Sequence, residues 1–180
     1  MFGTTAAAWH GLPVPLDEAF HVIVPAGHIV PRRRAGLVPH EGLGEHEWCM
    51  QRGLRVTTPE RTWLDLASVL DRTKLVIAGD AMVSGGLTTV EGLRVVSAAT
   101  RRRRGVVLSR EAAALVRSGV DSPPETIVRL IIVDGGLPCP QTGLDVYDEG
   151  GGWLARPDLS YSVLKLAIQY EGDLHRTTMK

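Results

Sequence analysis

The segment at residues 119–124, Gly-Val-Asp-Ser-Pro-Pro, constrains the fold most strongly, because consecutive prolines interrupt a helix or strand that would otherwise cross it. The formal charge changes sign at the same place: 15 basic and 12 acidic residues precede Ser122, whereas 5 basic and 8 acidic residues lie from Ser122 onward. A chain of 180 residues can hold two small domains. We therefore predict two modules, residues 1–121 and residues 122–180.

The first module is expected to be mostly helical, with short strands. Residues 54–57 have the alternation of a short strand. Thr58 at an N-cap position, followed by Pro59, predicts the start of a helix. The spacing of Thr88 and Glu91 matches a capping box and predicts the start of a later helix.

The second module is expected to begin with a helix and to continue as strands. The Ser-Pro-Pro-Glu sequence at residues 122–125 is a typical helix start. Residues 144–147 and 153–155 flank a glycine-rich segment, which predicts a hairpin. Residues 163–171 have the strongest strand pattern. The predicted fold class is α/β, of the mixed α+β kind: a helical module followed by an αβββ core.

Composition excludes several classes of protein. The 20 basic and 20 acidic residues balance, so whole-chain charge does not indicate a nonspecific nucleic-acid coat. Two distant cysteines argue against a zinc ribbon or a disulfide scaffold. The chain contains no apolar run approaching the roughly 18 residues of a spanning helix, and its first residues do not resemble a signal peptide. We expect a cytoplasmic protein without a membrane role.

Acidic and amide side chains of the second module form a candidate cation site. Alternation along residues 163–171 places Gln169 and Glu171 next to each other on one face, and Asp158 precedes this strand. Glu125 lies at the start of the preceding helix. Side-chain oxygens in such an arrangement suit a hard divalent cation. The opposite face of the strand is expected to be buried: Leu164, Leu166, Ile168 and Tyr170.

Two stretches of the chain resemble known families. The second module resembles the PD-(D/E)XK nuclease superfamily, in the branch grouped with very-short-patch repair endonucleases. The motifs that carry this resemblance are Ser-Pro-Pro-Glu-Thr at 122–126, Arg-Pro-Asp-Leu at 156–159 and Ala-Ile-Gln-Tyr-Glu-Gly-Asp-Leu-His at 167–175. The first module, through residues 57–67, resembles abortive-infection type IV antitoxin (AbiEi-like) proteins.

The nuclease resemblance implies hydrolysis of DNA phosphodiesters with the help of Mg²⁺. Carried over residue by residue, it makes Glu125 the helical acid and Asp158 the principal metal ligand. Gln169 and Glu171 become the strand pair that completes the metal site, and His175 becomes a proton-transfer or leaving-group residue. Magnesium would relieve repulsion between the carboxylates and lower the pKa of a bound water.

The sequence departs from this nuclease pattern at three points. Gln169 stands where relatives usually carry glutamate, which removes a negative charge and lowers the expected magnesium affinity. Glu171 fills the lysine position of the superfamily, although this branch often has an acid there. Relatives continue past the position of His175 with a basic helix and a further strand, so the resemblance predicts a core that lacks these elements and has an open sheet edge.

Two basic clusters are candidate phosphate-binding surfaces, because each arginine that reaches a phosphate releases counterions. Solvated charged surface is an equally good interpretation of each cluster. The clusters consist of Arg32, Arg33, Arg34, Arg101, Arg102, Arg103 and Arg104. We interpret residues 40–47, which include two histidines and three glutamates, as an exposed polar loop.

Each candidate site residue also has a simpler structural interpretation. Glu125 can belong to a capping box, Asp158 can form an Asx-turn, Gln169 and Glu171 can be a solvated strand face, and His175 can be a surface residue.

Three hypotheses remain open. The chain is a DNA-binding nuclease, active or vestigial; or a non-catalytic antitoxin-like or regulatory factor that binds DNA or protein; or an interaction protein that forms a homodimer through an exposed sheet edge.

Overall fold

The computed structural model describes residues 1–30 and 34–171 and divides the chain into two units, Met1–Val116 and Arg117–Lys180. Helices and several small sheets are both present, which confirms the predicted mixed α/β class. The predicted module boundary at residues 121/122 stays a prediction. Within the described residues, no helix is long and apolar enough to cross a membrane.

Unit 1 contains five helices and four strands among its described residues. They are α1 (Gly3–Trp9), β1 (Phe20–Pro25), β2 (Leu37–Leu43), β3 (Trp48–Gln51), β4 (Leu54–Thr57), α2 (Pro59–Leu66), α3 (Arg72–Ser84), α4 (Val90–Ala99) and α5 (Val106–Leu115). Strands β1 and β2 pair in parallel, and β3 and β4 form an antiparallel hairpin. Phe2 N–H donates to the carbonyl of His21, and the Met1 carbonyl accepts from Thr57 N–H, so the first two residues hydrogen-bond to both β1 and β4.

The helix starts of unit 1 follow from local side-chain chemistry. The Thr58 hydroxyl accepts from the backbone N–H of Arg61, which confirms the predicted cap of α2. The predicted cap of α4 is shifted by one residue, because Thr89 accepts from Gly92 N–H at 3.0 Å. The Thr88 hydroxyl instead donates to the Glu60 carboxylate at 2.5 Å. Because of this tertiary hydrogen bond, Thr88 does not cap α4.

A buried tryptophan of α2 packs against α3 and α4. Trp63 is fully buried, and its indole N–H donates to the Ser97 hydroxyl at 3.0 Å. Gly79 of α3 lies against this indole: a Cβ there would come within 2.7 Å of the Trp63 ring and 2.5 Å of Val116. The close approach of α3 to the core therefore requires glycine at this position.

A buried ion network connects α2 to two loops. Asp65 Oδ1 accepts from Arg61 Nε at 3.0 Å and from Arg103 Nη2 at 2.6 Å, and the Asp65 side chain is only 1% exposed. Arg61 also binds the Glu47 carboxylate and donates to the Gly42 carbonyl. Burial raises the pKa of Asp65 while the two guanidinium groups oppose the increase, and burial lowers the pKa of Arg61.

Unit 2 contains one α-helix followed by short strands among its described residues. They are α6 (Pro123–Asp134), β5 (Gln141–Thr142), β6 (Val146–Tyr147), β7 (Trp153–Ala155), β8 (Leu159–Tyr161), a 3-10 turn (Ser162–Leu164) and β9 (Leu166–Ile168). Strands β6 and β7 form the predicted hairpin, in which the Asp148 carboxylate accepts from the N–H groups of Gly150 and Gly152. The second sheet has the order β5-β8-β9, with antiparallel pairing.

The long strand predicted over residues 163–171 is wrong in extent and in burial. The 3-10 turn and the left-handed backbone of Lys165 (φ 50°) interrupt the alternation, so only Leu166–Ile168 pairs with β8. The face that was expected to be buried is open: Leu164 is 70% exposed and Tyr170 is 50% exposed. Strand β9 is the edge strand of a small sheet. Among the described residues, no other layer buries its faces.

We expect Asp65→Asn to lower the free energy of unfolding by about 3 kcal/mol, because it removes the buried carboxylate that Arg61 and Arg103 share and leaves only Glu47 to compensate them. Asp71→Asn is the matched control: Asp71 forms an exposed pair with Lys74, and asparagine still caps α3, so a loss below about 1 kcal/mol is expected. Urea unfolding followed by tryptophan fluorescence measures both. Equal effects of the two substitutions would contradict the assigned role of the network.

Candidate functional site

Glu125 is bound within the start of α6. Its Oε2 accepts from Asp121 N–H at 3.0 Å, its Oε1 accepts from the Ser122 hydroxyl at 2.7 Å, and the residue is 7% exposed. Both carboxylate oxygens therefore satisfy donors at the helix N-terminus. The capping role that the sequence analysis offered for Glu125 therefore accounts for both of its hydrogen bonds.

Asp158 and Gln169 lie together beside strands β8 and β9. Asp158 Oδ1 accepts from the Gln169 side-chain amide at 2.9 Å, and its Oδ2 accepts from Tyr170 N–H at 2.7 Å. Glu171 follows as an exposed residue. His175 lies outside the described residues. The structure thus brings together two of the predicted site residues, through a hydrogen bond in which Gln169 is the donor.

This arrangement does not fit a magnesium ion. Both oxygens of Asp158 accept hydrogen bonds, and Gln169 presents its N–H₂ group rather than its carbonyl oxygen to Asp158. Across residues 1–30 and 34–171, no group of three or more histidine, cysteine, aspartate or glutamate side chains is placed to hold a metal ion. We therefore derive no chemical step through magnesium.

The second arginine cluster separates into structural and exposed members. Arg103 is bound to Asp65 and also lies 3.8 Å from the Glu47 carboxylate. Arg101, Arg102 and Arg104 are exposed. Three guanidinium groups are therefore presented at the surface between α4 and α5, while the fourth compensates a buried carboxylate.

The first arginine cluster is only partly described. Arg34 is exposed and forms an isolated backbone bridge with Leu37. Arg32 and Arg33 lie outside the described residues, so their predicted role stays a prediction.

A hydrogen-bonded chain of three side chains in unit 1 was missed by the sequence analysis. Asp17 Oδ2 bonds to His21 Nε2 at 2.9 Å, and His21 Nδ1 bonds to His40 Nε2 at 2.8 Å. His40 lies in β2, half-buried, with the Phe2 ring 4.4 Å from its own, so its assignment to an exposed loop is wrong. The i,i+4 spacing of Asp17 and His21 was the available signal. Parallel pairing of β1 with β2, which brings in His40, has no local signal.

The chain of side chains responds to protonation. Burial, followed by the charge on His21, lowers the pKa of His40. A hydrogen bond from the Ala19 N–H, together with the bond from His21, lowers the pKa of Asp17. In the His21–His40 hydrogen bond one ring nitrogen donates its hydrogen and the other accepts it. When both rings are protonated, both nitrogens carry a hydrogen, so no acceptor remains and the bond breaks.

Unit 1 also presents an apolar groove of about 550 Å³ between α1, β1 and the segment that connects them. Leu16 is 79% exposed and Phe20 is 66% exposed along it, and Trp9 and Leu54 line it further. Exposed apolar side chains gathered along one groove are typical of a surface that contacts another protein.

Comparison with known proteins bears on unit 1 most directly. The family described as the AbiEi antitoxin C-terminal domain matches residues 1–115, a range that ends one residue before unit 1 does. This confirms the AbiEi-like part of the predicted resemblance. The nuclease resemblance of the second module stays a prediction.

Two curated relatives match along most of the chain. They are the uncharacterized proteins MT2308 and Rv2248 of Mycobacterium tuberculosis, each 29% identical over 169 residues. The match covers 93% of this chain and 60% of each relative, so the chain spans about three fifths of their length. No solved structure matches.

We expect the free energy of unfolding to fall as the pH decreases from about 7.5 to about 5.5. The lowered pKa of His40 means that the unfolded chain binds more protons in this range. Asp17 has a lowered pKa too, but its contribution is lost only as the pH falls below its ordinary value near 3.8. Urea midpoints at several pH values measure the slope.

His40→Gln should flatten this pH dependence, because glutamine does not titrate. His28→Gln, at an exposed histidine, is the matched control and should leave the slope unchanged. An unchanged slope in His40→Gln would contradict the assignment of the pH response to His40.

Proposed function

Because the chain belongs to the family of the AbiEi antitoxin C-terminal domain, we propose that it is an antitoxin-like regulatory factor that acts by binding a partner. The observation that carries this proposal is that the family match and unit 1 cover almost the same residues. The family match thus covers unit 1, and unit 1 presents the apolar groove and the exposed arginines.

The groove is the part of unit 1 best suited to a protein partner. Burying an apolar side chain that water otherwise surrounds is favourable, at roughly 25 cal/mol per Å² of apolar area. Leu16 and Phe20 expose most of their surface in the free chain, so covering them with a partner contributes this free energy of burial to binding. A few large apolar residues commonly supply most of the binding free energy of an interface. We propose that a toxin protein binds here.

Growth rescue tests this function. In cells whose growth is arrested by the toxin protein that the chain is proposed to bind, co-expression of the chain should restore growth. The double substitution Leu16→Lys and Phe20→Lys should lower the surviving colony count at least about tenfold, because charges in the groove oppose desolvation. Val95→Lys, at an apolar residue of α4 that is 56% exposed, is the control and should preserve rescue.

Absence of rescue by the unmodified chain would contradict the antitoxin function. Full rescue by the double variant would exclude the groove while leaving the function intact. Circular dichroism establishes that each variant is folded.

DNA is the second proposed partner of this factor. Arg101, Arg102 and Arg104 are exposed and close in sequence, which suits contact with consecutive phosphates. Arg103 is excluded from this role because it is bound to Asp65. Such contacts would give affinity that depends on salt and little on sequence.

Metal-dependent hydrolysis of DNA is the second candidate function. One observation favours it: Asp158 and Gln169, which the nuclease resemblance both assigns to the metal site, are hydrogen-bonded at 2.9 Å. Two observations count against it: Gln169 turns its N–H₂ group toward Asp158, and the described residues hold no group of three or more histidine, cysteine, aspartate or glutamate side chains that could bind a metal ion. The regulatory function is therefore the better supported of the two.

One experiment separates the two DNA-linked proposals. The chain is mixed with supercoiled plasmid in Mg²⁺ or Mn²⁺, and gel mobility reports binding while conversion to the open circle reports nicking. Replacing Arg101, Arg102 and Arg104 by alanine should weaken binding and lower the slope of log affinity against log salt by about 0.9 for each phosphate that the variant no longer neutralises. The control is Arg52→Ala with Arg55→Ala, two exposed arginines of the β3–β4 hairpin.

Binding without nicking is the expected result. Nicking that disappears in Asp158→Ala would overturn it in favour of the nuclease function. Equal binding by the triple variant and the control would exclude the arginine cluster as the surface that binds DNA.

A further inference from the structure

Unit 1 contains a smaller pocket, of about 360 Å³, where the β1–β2 pair meets the β3–β4 hairpin. Its volume lies within the range of about 300–1,000 Å³ that is typical of ligand pockets. Met1 and Phe2 hydrogen-bond to both strand pairs and thereby hold the two walls together. Of the residues that line this pocket, only Met1 also lines the apolar groove, so the proposed partner-binding surface assigns the pocket no role.

Arg55 supplies the charge of this pocket. Within residues 1–30 and 34–171, it is the only residue of the lining with a charged side chain, and no carboxylate lines the pocket. Arg55 is exposed, and no described residue forms an ion pair with its guanidinium. The backbone nitrogen of Met1 is already engaged, because it donates to the Arg55 carbonyl at 2.7 Å. An accessible cation without a compensating acid in the same wall favours an anionic ligand.

The β3–β4 hairpin places the Arg55 guanidinium over the ring of Trp48. The register pairs Trp48 with Thr57, so Arg55, two residues before Thr57 in β4, is the diagonal neighbour of Trp48 on the same face. The central carbon of the guanidinium lies 5.0 Å from the centroid of the ring. This cation–π contact restrains the guanidinium before a ligand arrives, so less conformational freedom is lost when the guanidinium donates two parallel hydrogen bonds.

The remainder of the wall determines what the body of the ligand must be. The polar groups of Thr57 are already used, because its hydroxyl hydrogen-bonds to the Thr62 hydroxyl at 2.7 Å and its N–H donates to the Met1 carbonyl. The other lining residues are apolar: Ile23, Val24, Pro25, Leu43 and Val56. A ligand that matches this pocket therefore combines an apolar body with one negative charge.

We propose that this pocket binds an apolar carboxylate. The carboxylate accepts two hydrogen bonds from the Arg55 guanidinium, and the hydrocarbon part contacts Ile23, Leu43 and Val56. One guanidinium charge matches one carboxylate charge, whereas a doubly charged phosphate ester would leave a charge uncompensated beside apolar walls. A small free acid and the C-terminal carboxylate of an apolar peptide both present this chemistry.

Titration of the ¹⁵N-labelled full chain with phenylacetate, followed by NMR, tests this proposal. Saturable shifts are expected at the indole N–H of Trp48 and at the amides of Val24, Leu43 and Val56. The neutral analogue phenylacetamide should bind about tenfold more weakly, because it has no charge for Arg55. Acetylated leucyl-phenylalanine with a free carboxylate forms a second arm. Tighter binding of this peptide would identify a chain terminus as the source of the carboxylate, and tighter binding of phenylacetate would identify a small free acid.

Arg55→Met should weaken binding of phenylacetate about tenfold and should remove the preference for acid over amide. The matched control is Arg52→Met, because Arg52 is an exposed arginine of the same hairpin and lies 5.8 Å from the ring of a different tryptophan, Trp9. This control should leave the affinity unchanged, and circular dichroism establishes that both variants are folded. Absence of saturable shifts at the pocket amides would overturn the proposal. Equal affinities for acid and amide would overturn it too, as would equal effects of the two substitutions.

Discussion

The buried carboxylate of Asp65 determines much of the organisation of unit 1. An unpaired charge in that position would cost several kcal/mol, so the surrounding chain supplies two guanidinium groups. Arg61 comes from the same helix, one turn away, and connects it to Glu47 ahead of β3. Arg103 comes from the turn before α5. Compensation of one charge thereby joins α2 to two loops that are distant in sequence.

This compensation is possible only because the backbone before α5 passes close to the end of α2. Gly105 has a left-handed backbone (φ 80°), and a Cβ at this position would overlap the carbonyl oxygen of Ala67. Glycine therefore permits the approach, and the ion pair of Arg103 with Asp65 stabilises it. The same ion pair reduces the proposed phosphate-binding surface, because Arg103 is bound to Asp65 and is not available to a ligand.

Structural roles also account for Glu125 and Asp158, two candidate catalytic residues of unit 2. Glu125 uses both oxygens at the start of α6, and Asp158 uses both of its oxygens to hold Gln169 and the backbone of Tyr170. The described part of unit 1 presents an apolar groove and, between α4 and α5, the exposed Arg101, Arg102 and Arg104, which are features of a binding protein. The family match over residues 1–115 agrees with that interpretation.

Features that depend on neighbouring residues were predictable. The cap of α2 and the β6–β7 hairpin follow from side chains and turn residues that lie within a few positions of each other. The mixed fold class and the AbiEi-like resemblance of the first module were predictable for the same reason, since both rest on local pattern. The extent of β9 was not, because alternation predicts a strand without indicating whether another layer covers it.

The sequence by itself therefore determined the starts of α2 and α6, the hairpin and the division of charge along the chain, because these depend on residue types and on short-range hydrogen bonds and backbone preferences. Only the tertiary structure decided that Arg103 pairs with Asp65, that His40 contacts His21 and that Arg55 lies over the Trp48 ring. Each of these contacts joins residues from different elements. Their chemistry depends on burial and on the distances between side chains, and the spacing of residues along one strand or helix predicts neither.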